Sequence, residues 1–194
     1  LWLNLEQHSA TEFFLSWRWL SSWLEQLSST DILWLVKAQY KNHVVGLGVF
    51  VEKKIKRHGF ITSTQWLLHR SGSEKEDQIW IENNNFLIAN QDKSLITKVI
   101  WQQLLKQKPY VDEFVIAMQH KASLKSYRIL PVEYIEKTIY SEQSYYLSID
   151  NLHSFKQYLS ELSKNPRQQI NRSIKLLKLL GDIRFEVLQE ANEQ

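Results

Sequence analysis

Ser163-Lys164-Asn165-Pro166-Arg167-Gln168-Gln169-Ile170-Asn171-Arg172-Ser173-Ile174-Lys175-Leu176-Leu177-Lys178-Leu179-Leu180-Gly181-Asp182-Ile183-Arg184-Phe185-Glu186-Val187-Leu188 reads as a basic helix followed by a strand. Asn165 is a good N-cap, Pro166 sits where a missing N–H costs nothing, and Gly181 follows the last apolar pair. At about 100° per residue, Ile170, Ile174, Leu176, Leu177 and Leu180 share one side, with Arg167, Asn171, Arg172, Lys175 and Lys178 opposite. Ile183, Phe185 and Val187 then alternate with Arg184 and Glu186, the pattern of a half-buried strand. A strand-helix-strand opening needs neighbours. The expectation is a first domain over residues 1–140 and, over 141–194, the truncated start of a second.

With 194 residues and 43% hydrophobic content the chain is long enough for a full core. Eight tryptophans, with only five glycines and three prolines, argue against a disordered or fibrous chain. A formal charge of +3 is mild for a dedicated DNA-binding domain, although the segment from Lys164 to Lys178 concentrates positive charge. The absence of cysteine excludes disulfides and thiolate metal sites and suits a reducing compartment, so the expected localisation is cytoplasmic. No apolar run approaches the roughly 20 residues of a membrane span, and the start, Leu1 rather than Met, has no signal-peptide pattern and leaves room for an upstream piece.

Outward from the basic segment, periodicity predicts a helix over Thr11–Leu27, with Phe13, Phe14, Trp17, Leu20, Trp23, Leu24 and Leu27 on its apolar stripe and Thr11 as an early cap. Such a stripe has two readings, a stacking platform for a sugar or base and ordinary core, and helical spacing favours core. Ile32–Ala38 and Val44–Val51 are expected to form a hairpin around Tyr40-Lys41-Asn42, with Gly46 and Gly48 marking close packing or a bulge. The basic run at Lys53, Lys54, Lys56 and Arg57 reads as a solvated strand end, with anion binding as the alternative. Strands are expected at Phe60–Leu68, Ile79–Ile81, Val111–Met118, Val132–Tyr140 and Tyr145–Ile149, and helices at Asp92–Lys106, Lys121–Ile129 and Leu152–Leu162, the last capped by Asp150 or Asn151. Pro131 ends the middle helix. A meander mixed with crossovers implies an α+β architecture.

Chemistry is sparse. No histidine pair has the i, i+4 spacing of a zinc protease site, no Gly-x-Ser-x-Gly frames a nucleophile, and Gly46-Leu47-Gly48 lies inside an apolar strand rather than at a helix N-terminus. The segment from His69 through Asp77 to Leu87 differs. It gathers a histidine, the carboxylates of Asp77 and Glu82, and the amides Asn83, Asn84 and Asn85. These groups can orient a polar ligand or take a proton, or else satisfy backbone groups within a loop.

Taken in order, Phe13-Phe14-Leu15-Ser16-Trp17-Arg18-Trp19-Leu20, Val44-Val45-Gly46-Leu47, the His69–Leu87 segment with Ile81-Glu82 and Asn84, and Ser163-Lys164-Asn165 to Arg172-Ser173 resemble the CelD-like branch of the GNAT acetyltransferases, associated with bacterial cellulose or exopolysaccharide biosynthesis. The resemblance implies two GNAT-like α+β domains in tandem, mixed sheets flanked by helices, of which the second usually binds acyl-CoA. It implies acyl-CoA (acetyl-CoA) as co-substrate, no metal, and a small-molecule or polysaccharide-precursor acceptor whose amine or hydroxyl takes the acyl group. In that superfamily backbone amides of a Gln/Arg-x-x-Gly-x-Gly/Ala turn hold the pyrophosphate at a helix N-terminus, where unpaired N–H groups favour an anion. None of the glycines at 46, 48, 59, 72 and 181 is framed that way, so the first domain looks like a degenerate copy. On this reading Glu82 is the candidate base, His69, Asp77 and Asn84 contact the acceptor, and Arg167 and Arg172 face an anionic group. A non-catalytic binding module whose basic helix meets an anionic partner is a second reading. Aminoacyl transfer from tRNA, as in Fem-type relatives, is a third.

Overall fold

The computed structural model describes residues 1–78, 81–107, 110–120, 135–143, 145, 148 and 150–184. The chain divides into two compact units, residues 1–137 and 138–194. The first is α+β, a mixed five-stranded sheet with helices on both faces.

Strands β1 (Ile32–Tyr40) and β2 (His43–Arg57) form the expected hairpin, antiparallel throughout, with the register shifting by one residue at a bulge between Ala38 and Gln39, opposite Gly46 and Val44. Its two-residue turn places Lys41 and Asn42 at φ 45° and 67°, the left-handed geometry that matches strand twist. β3 (Ile61–Leu68) runs antiparallel to the second half of β2, from Phe50↔Leu68 to Arg57↔Ile61. The short β4 (Leu87–Ile88) takes the same edge of β2 further back, opposite Gly46 and Leu47, and β5 (Glu113–Val115) pairs parallel to β3. The basic run lies within β2: Lys53 is ion-paired with Asp31, and Arg57 with Glu113.

The alternation of β2 directs its residues to two cores. Leu47, Val49 and Val51 meet Trp2 and Leu5 of α1 (Trp2–Glu6) and Trp19, Leu20 and Trp23 of α2 (Trp17–Gln26). On the other face Phe50 is completely buried beside Trp66, Phe86 and Phe114, whose ring centroids lie 5.8, 6.0 and 5.9 Å away, beneath Ile100, Trp101 and Leu104 of α3 (Lys93–Leu104). Burying a ring of that size stabilises the fold by about 2–3 kcal/mol. The strand glycines mark close packing: a Cβ on Gly46 would stand 2.9 Å from Ile100 Cδ1, and one on Gly48 would run into the Phe86 ring.

Several expectations are corrected. The first long helix begins at Trp17, because the Ser16 hydroxyl accepts the Trp19 N–H at 3.3 Å, while Phe13–Leu15 forms a separate 3₁₀ turn. On α3 the apolar residues Trp101 and Leu104 pack in the core together with Ile100, whereas Leu95 and Val99 face solvent. Asp92 precedes α3 in a left-handed conformation, φ 53°, without a capping hydrogen bond from its side chain. Residues 135–140, expected in a strand, are exposed and lack regular structure. The helix over 121–129, Pro131, and parts of the strands expected at 79–81, 132–140 and 145–149 lie outside the described residues, as does most of the one at 183–188.

In the second unit, α4 (Phe155–Glu161) is capped by Ser154, whose hydroxyl accepts the Gln157 N–H at 3.1 Å, rather than by Asp150 or Asn151. α5 (Lys164–Leu180) starts one residue ahead of the expected cap, with Pro166 in its first turn and Gly181 at its end. Its apolar side stays open: Leu177 is 48% exposed and Leu180 86%.

Candidate functional site

β3 leaves β2 at His69, where a left-handed backbone, φ 48°, turns the chain out of the sheet. The departure leaves the N–H of Val49 without a strand partner, and His69 itself supplies one: Nε2 accepts that N–H at 3.1 Å, and the His69 N–H donates to Val49 O at 2.9 Å. Because Nε2 accepts, the ring proton resides on Nδ1 and donates to Asn84 Oδ1 at 3.0 Å. Asn84 passes the chain on, its Nδ2 donating to Leu68 O at 2.8 Å and its backbone N–H to Met118 O at 3.1 Å. Trp2 closes the pocket edge-on at 5.8 Å, held by its own indole N–H to Leu15 O at 2.8 Å. His69 and Asn84 are each 1% exposed. Burial pushes the imidazole down to about 4, although the bond to Asn84 pulls the other way. A neutral ring with both nitrogens engaged is a strand partner in side-chain form.

Asp77 is equally committed. Its buried carboxylate accepts from the Ser71 N–H at 2.8 Å, the Ser71 hydroxyl at 3.0 Å, the Gly72 N–H at 2.9 Å and Arg70 Nε at 3.2 Å. The Asp77 N–H returns to Ser73 O at 2.9 Å, so residues 71–77 form a stapled loop. Glu82 is exposed and makes no hydrogen bond or ion pair among the described residues. The structure therefore brings His69 and Asn84 into contact, binds Asp77 to its own loop and leaves Glu82 in solvent. In the second unit, Arg167 Nη2 donates to Ser160 O at 3.2 Å and to Leu162 O at 2.6 Å, closing the end of α4, while Arg172 is exposed.

A further network lies at the other end of β3. Glu113 receives Arg57 through two bonds, at 2.9 and 2.7 Å, Ser63 at 3.0 Å and Gln65 at 2.8 Å, tying β2, β3 and β5 together. Partial burial raises its pKa, but the donors from Gln65, Arg57 and Ser63 outweigh it and hold the carboxyl below its usual range. Nothing in the sequence order signals this cluster, which exists only through the parallel pairing of β3 with β5.

Sequence reasoning missed one more group. Trp23 and Glu76 each bury a polar side-chain atom, Nε1 and Oε2, that has no partner among the described residues, and both line a cleft of about 40 Å³ with Trp19, Ser22 and Gln26. The signal available was the aromatic stripe of α2, whose spacing argues for core. Among the described residues no three His, Asp or Glu side chains converge as metal ligands, and no helix is long and apolar enough to cross a membrane. Compared with protein-family models, with curated proteins and with solved structures, the chain finds no match in any of the three.

Proposed function

We propose that the chain is the N-terminal part of a GNAT-superfamily acyltransferase, passing an acyl group from acyl-CoA to an amine or hydroxyl of a polar acceptor, with a place in cellulose or exopolysaccharide biosynthesis. The observation that carries this reading is the course of the mixed sheet: a meander through β1, β2 and β3, a break at His69 where β4 takes over the edge of β2, and then α3 leading to a parallel β5. The ordered sequence motifs support it.

The residues of the first unit do not fit acyl-CoA. The approach to α3 carries Asn90, Gln91 and Asp92 instead of glycines, and a carboxylate stands where a pyrophosphate would need bare N–H groups. The Val49 N–H, at the break in the edge of β2, is already taken by His69. In this reading the first unit serves the acceptor, and no step runs through the donor there. Glu82 alone among its candidates keeps a carboxylate without a partner among the described residues and able to take a proton, and Asn84, bonded to His69, Leu68 and Met118, fixes the chain two residues further on. Titration calorimetry of the full-length protein with acetyl-CoA tests the reading. Binding that survives Asp92→Ala is expected, and no heat at all would remove acyl transfer. With turnover in hand, Glu82→Gln is expected to lower kcat by about 10²–10⁴.

The open basic helix favours a second reading, a non-catalytic module for an anionic partner. Lys164, Arg167, Arg172, Lys175 and Lys178 are exposed along α5. Partner binding that weakens steeply with salt, and is lost when these five are neutralised, favours it over acyl transfer; retention of tRNA on a filter at low salt would select the Fem-type variant.

A further inference from the structure

We propose that Trp23 and Glu76 frame a subsite for a hydroxyl group of a small polyol or saccharide. Trp23 is 5% exposed, and its indole N–H, a donor only, is buried without an acceptor among the described residues. Glu76 Oε2, an acceptor when ionised, is buried without a donor. Both residues line the same cleft, while the two atoms themselves have almost no surface there, so a ligand reaches them by a small rotation of the two side chains and then accepts from one and donates to the other. A hydroxyl does both. An ammonium has no lone pair for the indole, and a carboxylate has no proton for Glu76.

The surroundings set the size and direction of the ligand. A volume of about 40 Å³ admits a terminal hydroxyl with its carbon, not a whole sugar ring. Trp19, its ring nearly parallel to Trp23 at 8° and 6.2 Å, supplies an apolar wall, and the exposed Ser22 and Gln26 form the rim along which the rest of a polyhydroxylated molecule would lie. The Ser22 proton is committed to Arg18 O at 3.0 Å, which leaves the oxygen as an acceptor, and the Gln26 amide is unengaged among the described residues.

The cleft is also held in place from below. Glu76 belongs to the loop that the neighbouring Asp77 staples through Ser71, Gly72 and Arg70, while Trp23 stands on a helix capped at Ser16. Asp77 is thereby a positioning residue for Glu76. The subsite stands whether or not the chain transfers an acyl group.

The test follows the indole proton of Trp23 by ¹H–¹⁵N NMR of the full chain, its resonance assigned by its disappearance in Trp23→Phe. Methyl β-D-glucopyranoside and glycerol are the probes, with methylammonium chloride and sodium acetate as controls. A saturable shift confined to that indole, about tenfold weaker in Glu76→Ala and weakened likewise in Asp77→Asn, is expected. A shift that fails to saturate, spreads over other indoles, survives Glu76→Ala or is matched by methylammonium would overturn the proposal; so would no shift, which leaves the cleft to water.

Discussion

Val49 and His69 are bonded to each other twice: the His69 N–H donates to Val49 O at 2.9 Å, and the Val49 N–H donates to His69 Nε2 at 3.1 Å. One bond belongs to the ladder and the other replaces it. The imidazole does the work of the carbonyl that the next residue of β3 would have offered, which lets the chain leave the sheet without an unpaired buried N–H, a defect that costs about 1–3 kcal/mol.

The first prediction concerns this pair and its neighbour. His69→Ala removes an acceptor for Val49 and a donor for Asn84 and opens a cavity, so urea unfolding should show a loss of about 2–4 kcal/mol. Asn84→Ala strips partners from His69 and Leu68 and should cost about 1–3 kcal/mol. Because the two side chains share one network, the double variant should cost clearly less than the two losses added. Strict additivity would mean that the chain of bonds does not act as a unit.

A pH dependence follows from the same burial. In the unfolded chain His69 binds a proton below the ordinary value of 6.5, whereas in the folded protein it stays neutral until about 4. Between these limits the unfolded state holds more protons. The stability contributed by the neutral ring is thus complete above pH 6.5 and falls as the pH is lowered toward 4, by about 3 kcal/mol in all. Chemical denaturation across that window should show the decline, and His69→Gln should flatten this part of it.

Gly48 tests the packing of α3's face of the sheet. A Cβ there meets the Phe86 ring rather than a flexible chain end, so Gly48→Ala should destabilise by about 1–3 kcal/mol. Phe86→Leu, made in the Gly48→Ala background, should recover part of the loss. At Gly46 the obstacle is the tip of Ile100, a side chain able to turn aside, and alanine should be tolerated better. Thermal melts of the three variants decide the order.

The outer edge of β1 has no partner among the described residues, and it carries Leu33, Trp34 and Leu35, the last 58% exposed. Edge strands of this kind invite association. Leu35→Lys should suppress concentration-dependent scattering without lowering Tm, since the side chain contributes little burial. A fall in Tm would show that Leu35 belongs to the core.

What was legible in the sequence was what depends on neighbours along the chain. The β1–β2 hairpin follows from two alternating runs around Lys41-Asn42, and α5 from an apolar stripe with a stop at Gly181. Elements set by distant partners were not. α1 spans five residues, Trp2–Glu6, too few for a helical period, and it exists because Trp2 and Leu5 pack on β2. The polar segment from His69 to Asn84 was recognisable as unusual, yet the groups that occupy it, Val49 N–H, Leu68 O and Met118 O, are backbone atoms that no residue type announces. Glu76 was hidden for a related reason: its significance comes from Trp23, which sits on a different element and reads as core.

The central claim is that the His69–Asn84 cluster is a closed part of the framework, not an open site. Side-chain ¹⁵N NMR of His69 across a pH titration addresses it directly. The prediction is a neutral ring with its proton on Nδ1, unchanged until the pH approaches about 4. Titration near the ordinary value of 6.5, or a ring protonated on Nε2, would contradict it.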